Sequence, residues 1–186
     1  MFPSDTVYGV ACDPDNEQAV LRLYALKGRP ARKPTAIMFF ALGLALEELA
    51  ELTAPERAAA RALLPGPVTL LLPNRGQRFP LAGGSQAGAI GLRVPRLPGP
   101  LRALAGVRSG VLASSANLAG GPEPRRVEQV PVELRRGADL VLDGGALPGT
   151  ASTVVDLSHY AACGDWHVVR PGALSEGQLR RALGHR

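Results

Sequence analysis

Apolar and polar positions alternate with a period that changes often along this chain. Between residues 17 and 26, Ala19, Val20, Leu23 and Leu26 fall on one helical face. Asp15 and Asn16 stand ahead of them as caps, and Lys27-Gly28 follows as a stop, with Gly28 suited to a left-handed turn. Two further helices are predicted over 44–52 and 55–64. Thr53 opens the second, Glu56 completes a capping box, and Pro65-Gly66-Pro67 ends it. Short apolar runs predict strands over 35–40, 68–72, 89–94, 111–114, 140–143, 152–156 and 166–170. Residues 2–9 read as a loop running into a short strand. Short helices are expected over 97–105 and 131–136, and a final one over 175–183, capped by Ser175. The strand at 111–114 runs into the polar turn Ser115-Ala116-Asn117.

Strands and helices thus interleave without a strict βαβ rhythm. Gly (22) and Pro (17) are spread along the whole length, which points to many short elements joined by tight turns. The expected class is α/β: a single layered domain over 1–186, built on a mixed, twisted β-sheet flanked by helices.

Composition narrows the picture. At 46% apolar and 20% charged over 186 residues, the chain has the make-up of a globular domain with a real core. No apolar run reaches the length of a membrane span and the first residues carry no secretion-signal pattern, so a cytoplasmic location without membrane contact is expected. Cys12 and Cys163 form no CxxC pair, which disfavours a structural zinc site and leaves no metal-ligating residues to name. The net charge of +5 favours an anionic partner such as a nucleotide, pyrophosphate or RNA. Aromatic residues, at 4%, are too sparse for a base-stacking surface. Among the 21 basic residues only Lys27 and Lys33 are lysine, and both lie in the stretch Lys27-Gly-Arg29-Pro-Ala-Arg32-Lys33. That placement suggests a need for compact ammonium groups there.

Several chemistries lack their motifs. No GxGxxG opens a helix, and no GxxxxGK[ST], GxSxG or HExxH is present. The Gly-rich stretch 83–88 reads as a loop, and His159, His167 and His185 as surface or strand residues. What remains is a set of modest segments: Pro3-Ser-Asp-Thr6-Val-Tyr-Gly9, the Lys27/Arg29/Lys33 stretch, Gly66–Leu72, Leu92–Pro95, Ser114–Gly120, Ser152–Asp156 and Arg170-Pro-Gly172. Lysine and arginine side by side suit a polyphosphate, and hydroxyl and amide groups at a strand end can bind phosphate oxygens. Each segment alone is more often a solvated turn.

In this order and spacing, over nearly the whole chain, the set resembles the YrdC/YciO family. The resemblance implies an L-threonylcarbamoyladenylate synthase, a nucleotidyltransferase that makes threonylcarbamoyl-AMP and pyrophosphate from L-threonine, bicarbonate and ATP on the route to t6A in tRNA. By the same resemblance, Lys27, Arg29, Ser115 and Asn117 match a catalytic tetrad that binds the nucleotide phosphates. Lys33 and Arg170 match further ATP-contacting positions. Thr6, Arg93, Ala113 and Ser152 match the L-threonine site, with Arg93 suited to the carboxylate and Ala113 contributing its backbone. ATP enters as a substrate with Mg2+ as the expected counter-ion; tRNA contact and downstream transfer proteins are the implied partners.

The sequence departs from the family pattern in places. Its motif begins at residue 3, so the first helix and strand of the family, about 15–20 residues, are expected to be missing. Ser4 replaces a threonine but keeps the hydroxyl. Ala151 stands where glutamate is common. Glu123 stands where a hydroxyl residue often contacts the nucleotide, and a carboxylate beside phosphate is unfavourable. The rival readings are a YciO-like paralogue, a non-enzymatic RNA-binding or ribosome-maturation factor, and a carbamoyltransferase module. An RNA binder would show salt-sensitive RNA affinity that survives loss of the threonine pocket.

Overall fold

Side chains on the strands alternate between two environments, and that alternation creates the site. The computed structural model describes residues 1–30, 33–84, 88–97 and 99–184. Its strands are β1 (Phe2–Pro3), β2 (Tyr8–Cys12), β3 (Ala36–Met38), β4 (Val68–Pro73), β5 (Ala89–Arg93), β6 (Val111–Ser115), β7 (Thr153–Asp156) and β8 (His167–Arg170). They form one eight-stranded sheet in the order β1-β2-β6-β3-β5-β4-β7-β8. The β3–β5 and β4–β7 pairs are parallel and the others antiparallel, so the sheet is mixed, as expected.

One face of the sheet carries Tyr8, Val10, Ile37, Leu70, Leu72, Ile90, Leu92, Leu112 and Val155 into the main core. The helices supply the other half of that core. They are α1 (Glu17–Leu26), α2 (Leu42–Glu48), α3 (Ala54–Leu63), α4 (Pro80–Gly83), α5 (Val132–Gly137), α6 (Tyr160–Cys163) and α7 (Glu176–Leu183). Asn16 caps α1 by accepting from the Ala19 amide at 3.0 Å. Gly28, just past its end, takes the left-handed conformation at φ +58°, which suits a residue without Cβ. Glu56 accepts from the Thr53 amide at 2.8 Å at the start of α3, and Arg75 pairs with the same carboxylate at 2.9 Å. Ser175 caps α7.

Phe2, Met38, Phe40 and Ala113 form a second cluster, against which Leu97, Leu104 and Val107 pack. The helix expected over 97–105 is a 3-10 helix over Gly99–Gly106. The Phe2–Pro3 strand was not expected.

The strand expected over 140–143 is not one. Leu140, Val141 and Leu142 are exposed at 62%, 37% and 37%. The Leu142 amide reaches the Met1 carbonyl, but no ladder follows. Asp143 instead accepts from Tyr8 Oη at 2.8 Å and from the Gly145 amide at 2.9 Å, which turns the chain away. Residues 85–87 and His185 of the expected loops and tail lie outside the described residues, as does Arg32.

Candidate active site

Small residues open a cleft of about 230 Å³ beside the second cluster. Gly9, Ala36, Gly91 and Ala113 lie along its wall. A Cβ on Gly91 would stand 3.2 Å from Cα and Cβ of Ala36, so the strands carry no spare bulk there. Met38, Arg93, Thr69 and Val154 form one row across β3, β5, β4 and β7, because each is the register partner of the next. All four line the cleft.

One end of the cleft is rich in hydroxyls. Ser4 Oγ and Thr6 Oγ1 are 2.9 Å apart, and Ser4 Oγ donates to the Val7 carbonyl at 2.7 Å. Ser4 therefore does work that any hydroxyl residue could do there. Thr69 Oγ1 and Ser152 Oγ are also 2.9 Å apart. Arg170 Nη2 donates to the Ser152 carbonyl at 2.8 Å. Ala113 adds its strand backbone, in register with Ala36 and Ala11.

Arg93 lies beneath this end, almost wholly buried. Its Nη1 donates to the Gly66 and Val68 carbonyls at 2.6 and 3.0 Å. Its Nη2 donates to Thr6 Oγ1 at 3.2 Å and forms an ion pair with Asp5. Burial alone would discourage its charge; Asp5 favours it. Both Nη groups thus have partners within the protein.

The other end holds Arg29, Ser114, Ser115 and Glu123. The Arg29 guanidinium stacks on Tyr24 at 5.7 Å and donates to Ser114 Oγ at 3.4 Å and to the Pro34 carbonyl. Tyr24 Oη, in turn, bonds Thr35 Oγ1 at 2.9 Å and the Lys33 carbonyl at 3.2 Å, holding that stretch against α1. The exposed Lys33 is not among the cleft-lining residues.

Lys27 and Asn117 stand behind this end, not in its wall. Lys27 is 3% exposed, and its ammonium donates to the Ser115 carbonyl, the Asn117 carbonyl at 2.7 Å and Asn117 Oδ1 at 3.2 Å. Ser115 Oγ donates to the same Oδ1 at 2.7 Å, and Asn117 Nδ2 to the Gly121 carbonyl at 2.6 Å. Burial, with the neighbouring Arg29 charge, pushes the Lys27 pKa down to about 8, against the pull of Glu123. The four tetrad positions do come together, then, but in two tiers: Arg29 and Ser115 on the cleft, Lys27 and Asn117 shaping the turn beneath.

Asp5 and Thr69 were not singled out from the sequence. Thr69 had a signal: it is the one polar residue in the apolar run Val68–Leu72. Asp5 had none beyond its place among hydroxyl residues. His159 and His167 lie off the cleft; His167 Nε2 is 3.8 Å from Asp156 Oδ2. No group of three or more His, Cys, Asp or Glu gathers among the described residues.

The Sua5/YciO/YrdC family model, described as "Telomere recombination", matches residues 1–172. The chain belongs to this family. A family relative from Pyrococcus abyssi, named threonylcarbamoyl-AMP synthase, is 32% identical over 98% of this chain and 53% of its own. Another of the same name, from Chromohalobacter salexigens, is 35% identical over 84% of each. The chain spans about half the length of the first curated relatives it matches. Among solved structures, P. abyssi Sua5 complexed with L-threonine superposes with TM-score 0.81 at 30% identity, over 98% of this chain and 53% of that one. E. coli YciO superposes at 0.74 over 96% of this chain and 84% of its own, and at 24% identity it speaks for the fold alone.

Proposed function

We propose that the chain makes threonylcarbamoyl-AMP and pyrophosphate from L-threonine, bicarbonate and ATP, as a nucleotidyltransferase serving t6A formation in tRNA. The family, the names of its relatives and the threonine complex of P. abyssi Sua5 support this reading. The observation that carries it is one cavity lined both by hydroxyls, those of Ser4, Thr6, Thr69, Ser115 and Ser152, and by the guanidinium groups of Arg29 and Arg170. Such a cavity suits a small hydroxy-amino acid beside a polyphosphate.

The amine of threonine takes up bicarbonate with loss of water, giving N-carboxy-threonine. Its carbamate oxygen is already anionic and needs no general base. That oxygen attacks the α-phosphorus of ATP, the bond to the β-phosphate oxygen breaks, and pyrophosphate leaves. The protein's task is positioning and charge compensation. In this proposal Thr6, Ser152 and the Ala113 backbone hold threonine. Arg93, fixed by Asp5, keeps the Thr6 hydroxyl in place and adds positive charge beneath it. Arg29, Ser115 and Arg170 meet the nucleotide, Lys33 approaches it from outside the wall, and Lys27 and Asn117 shape the turn that presents Ser115. Mg2+, when bound with ATP, screens the charge of the phosphates. The product passes to partner proteins that transfer the threonylcarbamoyl group to tRNA, and the net charge of +5 suits an RNA contact. A cytoplasmic setting accords with free Cys12 and Cys163, and no helix among the described residues is long and apolar enough to cross a membrane.

Pyrophosphate release from ATP and bicarbonate tests the reading, measured with L-threonine, with L-serine and with neither. Release is expected with threonine and is expected to fall on the order of 100-fold or more in Arg29→Ala, with the fold kept. A folded protein that releases no pyrophosphate with threonine would refute it.

A further inference from the structure

Two atoms of the cleft are buried without a hydrogen-bond partner, and they are opposite in character. Arg29 Nε is a donor lacking an acceptor, and Glu123 Oε2 an acceptor lacking a donor. Both side chains line the cavity. Glu123 is well anchored: the next residue, Pro124, accepts from the Tyr8 amide at 2.9 Å, and Gly121 accepts from Asn117 Nδ2. Lys27, whose charge feels Glu123, gives its N–H groups to the Ser115–Asn117 turn and keeps none for this carboxylate.

Charge then decides what can satisfy Glu123. Arg93 is paired with Asp5, which leaves Arg29 and Arg170 as the cleft-lining cations without an acidic partner among the described residues. A nucleoside triphosphate carries more negative charge than these two guanidinium groups offset. A hydroxyl at position 123 could donate directly to a phosphate; a carboxylate repels one unless a cation lies between. Mg2+ is commonly held in that way, by one or two carboxylates plus substrate phosphates, with water in the remaining positions. The donor set fits a cation brought in by the nucleotide. It does not fit a resident one, since no group of three or more His, Cys, Asp or Glu gathers among the described residues.

We propose that Glu123 is the protein ligand of a divalent cation carried by the bound nucleotide. This rests on the nucleotide reading of the site. It makes metal dependence of nucleotide binding a property of this chain, set by a residue where the family pattern often has a hydroxyl.

Calorimetric titration with a non-hydrolysable ATP analogue, with Mg2+ and with EDTA, tests it on the wild type, Glu123→Gln and Glu123→Ser. The wild type is expected to bind the Mg2+ form on the order of tenfold more tightly than the free analogue. Glu123→Gln should lose most of that ratio by weakening the Mg2+ form, and Glu123→Ser should bind the metal-free analogue better than the wild type. The electron-spin resonance spectrum of Mn2+ in the ternary complex should change in Glu123→Gln. A wild-type metal ratio in Glu123→Gln would overturn the proposal, since the amide oxygen still accepts from a ribose hydroxyl but is a poor Mg2+ ligand. Mn2+ binding to Glu123 without nucleotide would overturn it too. Failure of the wild type to bind the analogue under either condition would remove the nucleotide reading itself, and this proposal with it.

Discussion

Lys27 holds Asn117 by both of its oxygens, main chain and side chain, across 90 residues of sequence. Removing the ammonium as Lys27→Met leaves buried acceptors without a donor. The expected cost is about 1–3 kcal/mol of stability, together with weaker nucleotide binding as Ser115 loses its support. Urea unfolding and nucleotide titration check both effects. Weaker binding without lost stability would place the ammonium on the phosphates instead.

The same lysine should give the activity an alkaline limb. Its pKa falls from 10.5 to about 8 in the folded protein, chiefly through burial. As pH rises through 8, the amine loses one of three donors and the turn loosens, so turnover should decline. Stability moves the other way. Between pH 8 and 10.5 the unfolded chain binds the proton that the folded chain has lost, so unfolding free energy attributable to Lys27 rises with pH. Comparing wild type and Lys27→Met across that window isolates the effect: the difference should shift in favour of the wild type.

Asp5 balances a buried guanidinium. In Asp5→Ala, Arg93 would face only neutral acceptors in a site where both partners are less than a tenth exposed. The loss should be about 3–5 kcal/mol, read from denaturant unfolding. Where the variant stays folded, the KM for threonine should rise, because Arg93 Nη2 no longer has a fixed direction in which to hold Thr6.

Gly172 lies against the backbone that carries Ser152. An added Cβ would stand 2.4 Å from the Ala151 carbonyl oxygen and 2.5 Å from the Thr153 nitrogen. The first accepts from the Ala173 amide at 2.9 Å and the second donates to the Pro67 carbonyl at 3.1 Å, so neither can retreat without losing a hydrogen bond. Gly172→Ala should cost about 1–3 kcal/mol and raise the KM for threonine more than it lowers kcat. Thermal unfolding and steady-state kinetics would show the two effects.

Much of the fold was legible because the strands are two-faced and the helices capped. Asn16, Gly28 and Ser175 bound their helices where the sequence placed them. The run at 140–143 misled because apolar content does not reveal whether a partner strand is in reach; the Tyr8–Asp143 bond decided against it. For the site, residue types showed which side chains gather, but not their tier. Nothing in Lys27-Gly-Arg29 tells which cation faces the cleft and which lies beneath. That depends on Ser115 and Asn117, brought there by the pairing of β2 with β6. The Asp5–Arg93 pair was hidden for the same reason, its members lying 88 residues apart.

The strand order has a consequence for biosynthesis. The cleft draws its wall from Ser4 at one extreme and Arg170 at the other, and β4 waits for β7 as β2 waits for β6. At about 5–20 residues per second, the ribosome delivers the first hydroxyls of the pocket many seconds before the arginine that completes it. Until β7 emerges, β4 is paired with β5 on one side only, and such an open edge invites pairing with other chains. No shorter nascent form can hold the assembled cleft, so its ligands meet a binding site only on chains whose sheet has closed through β8.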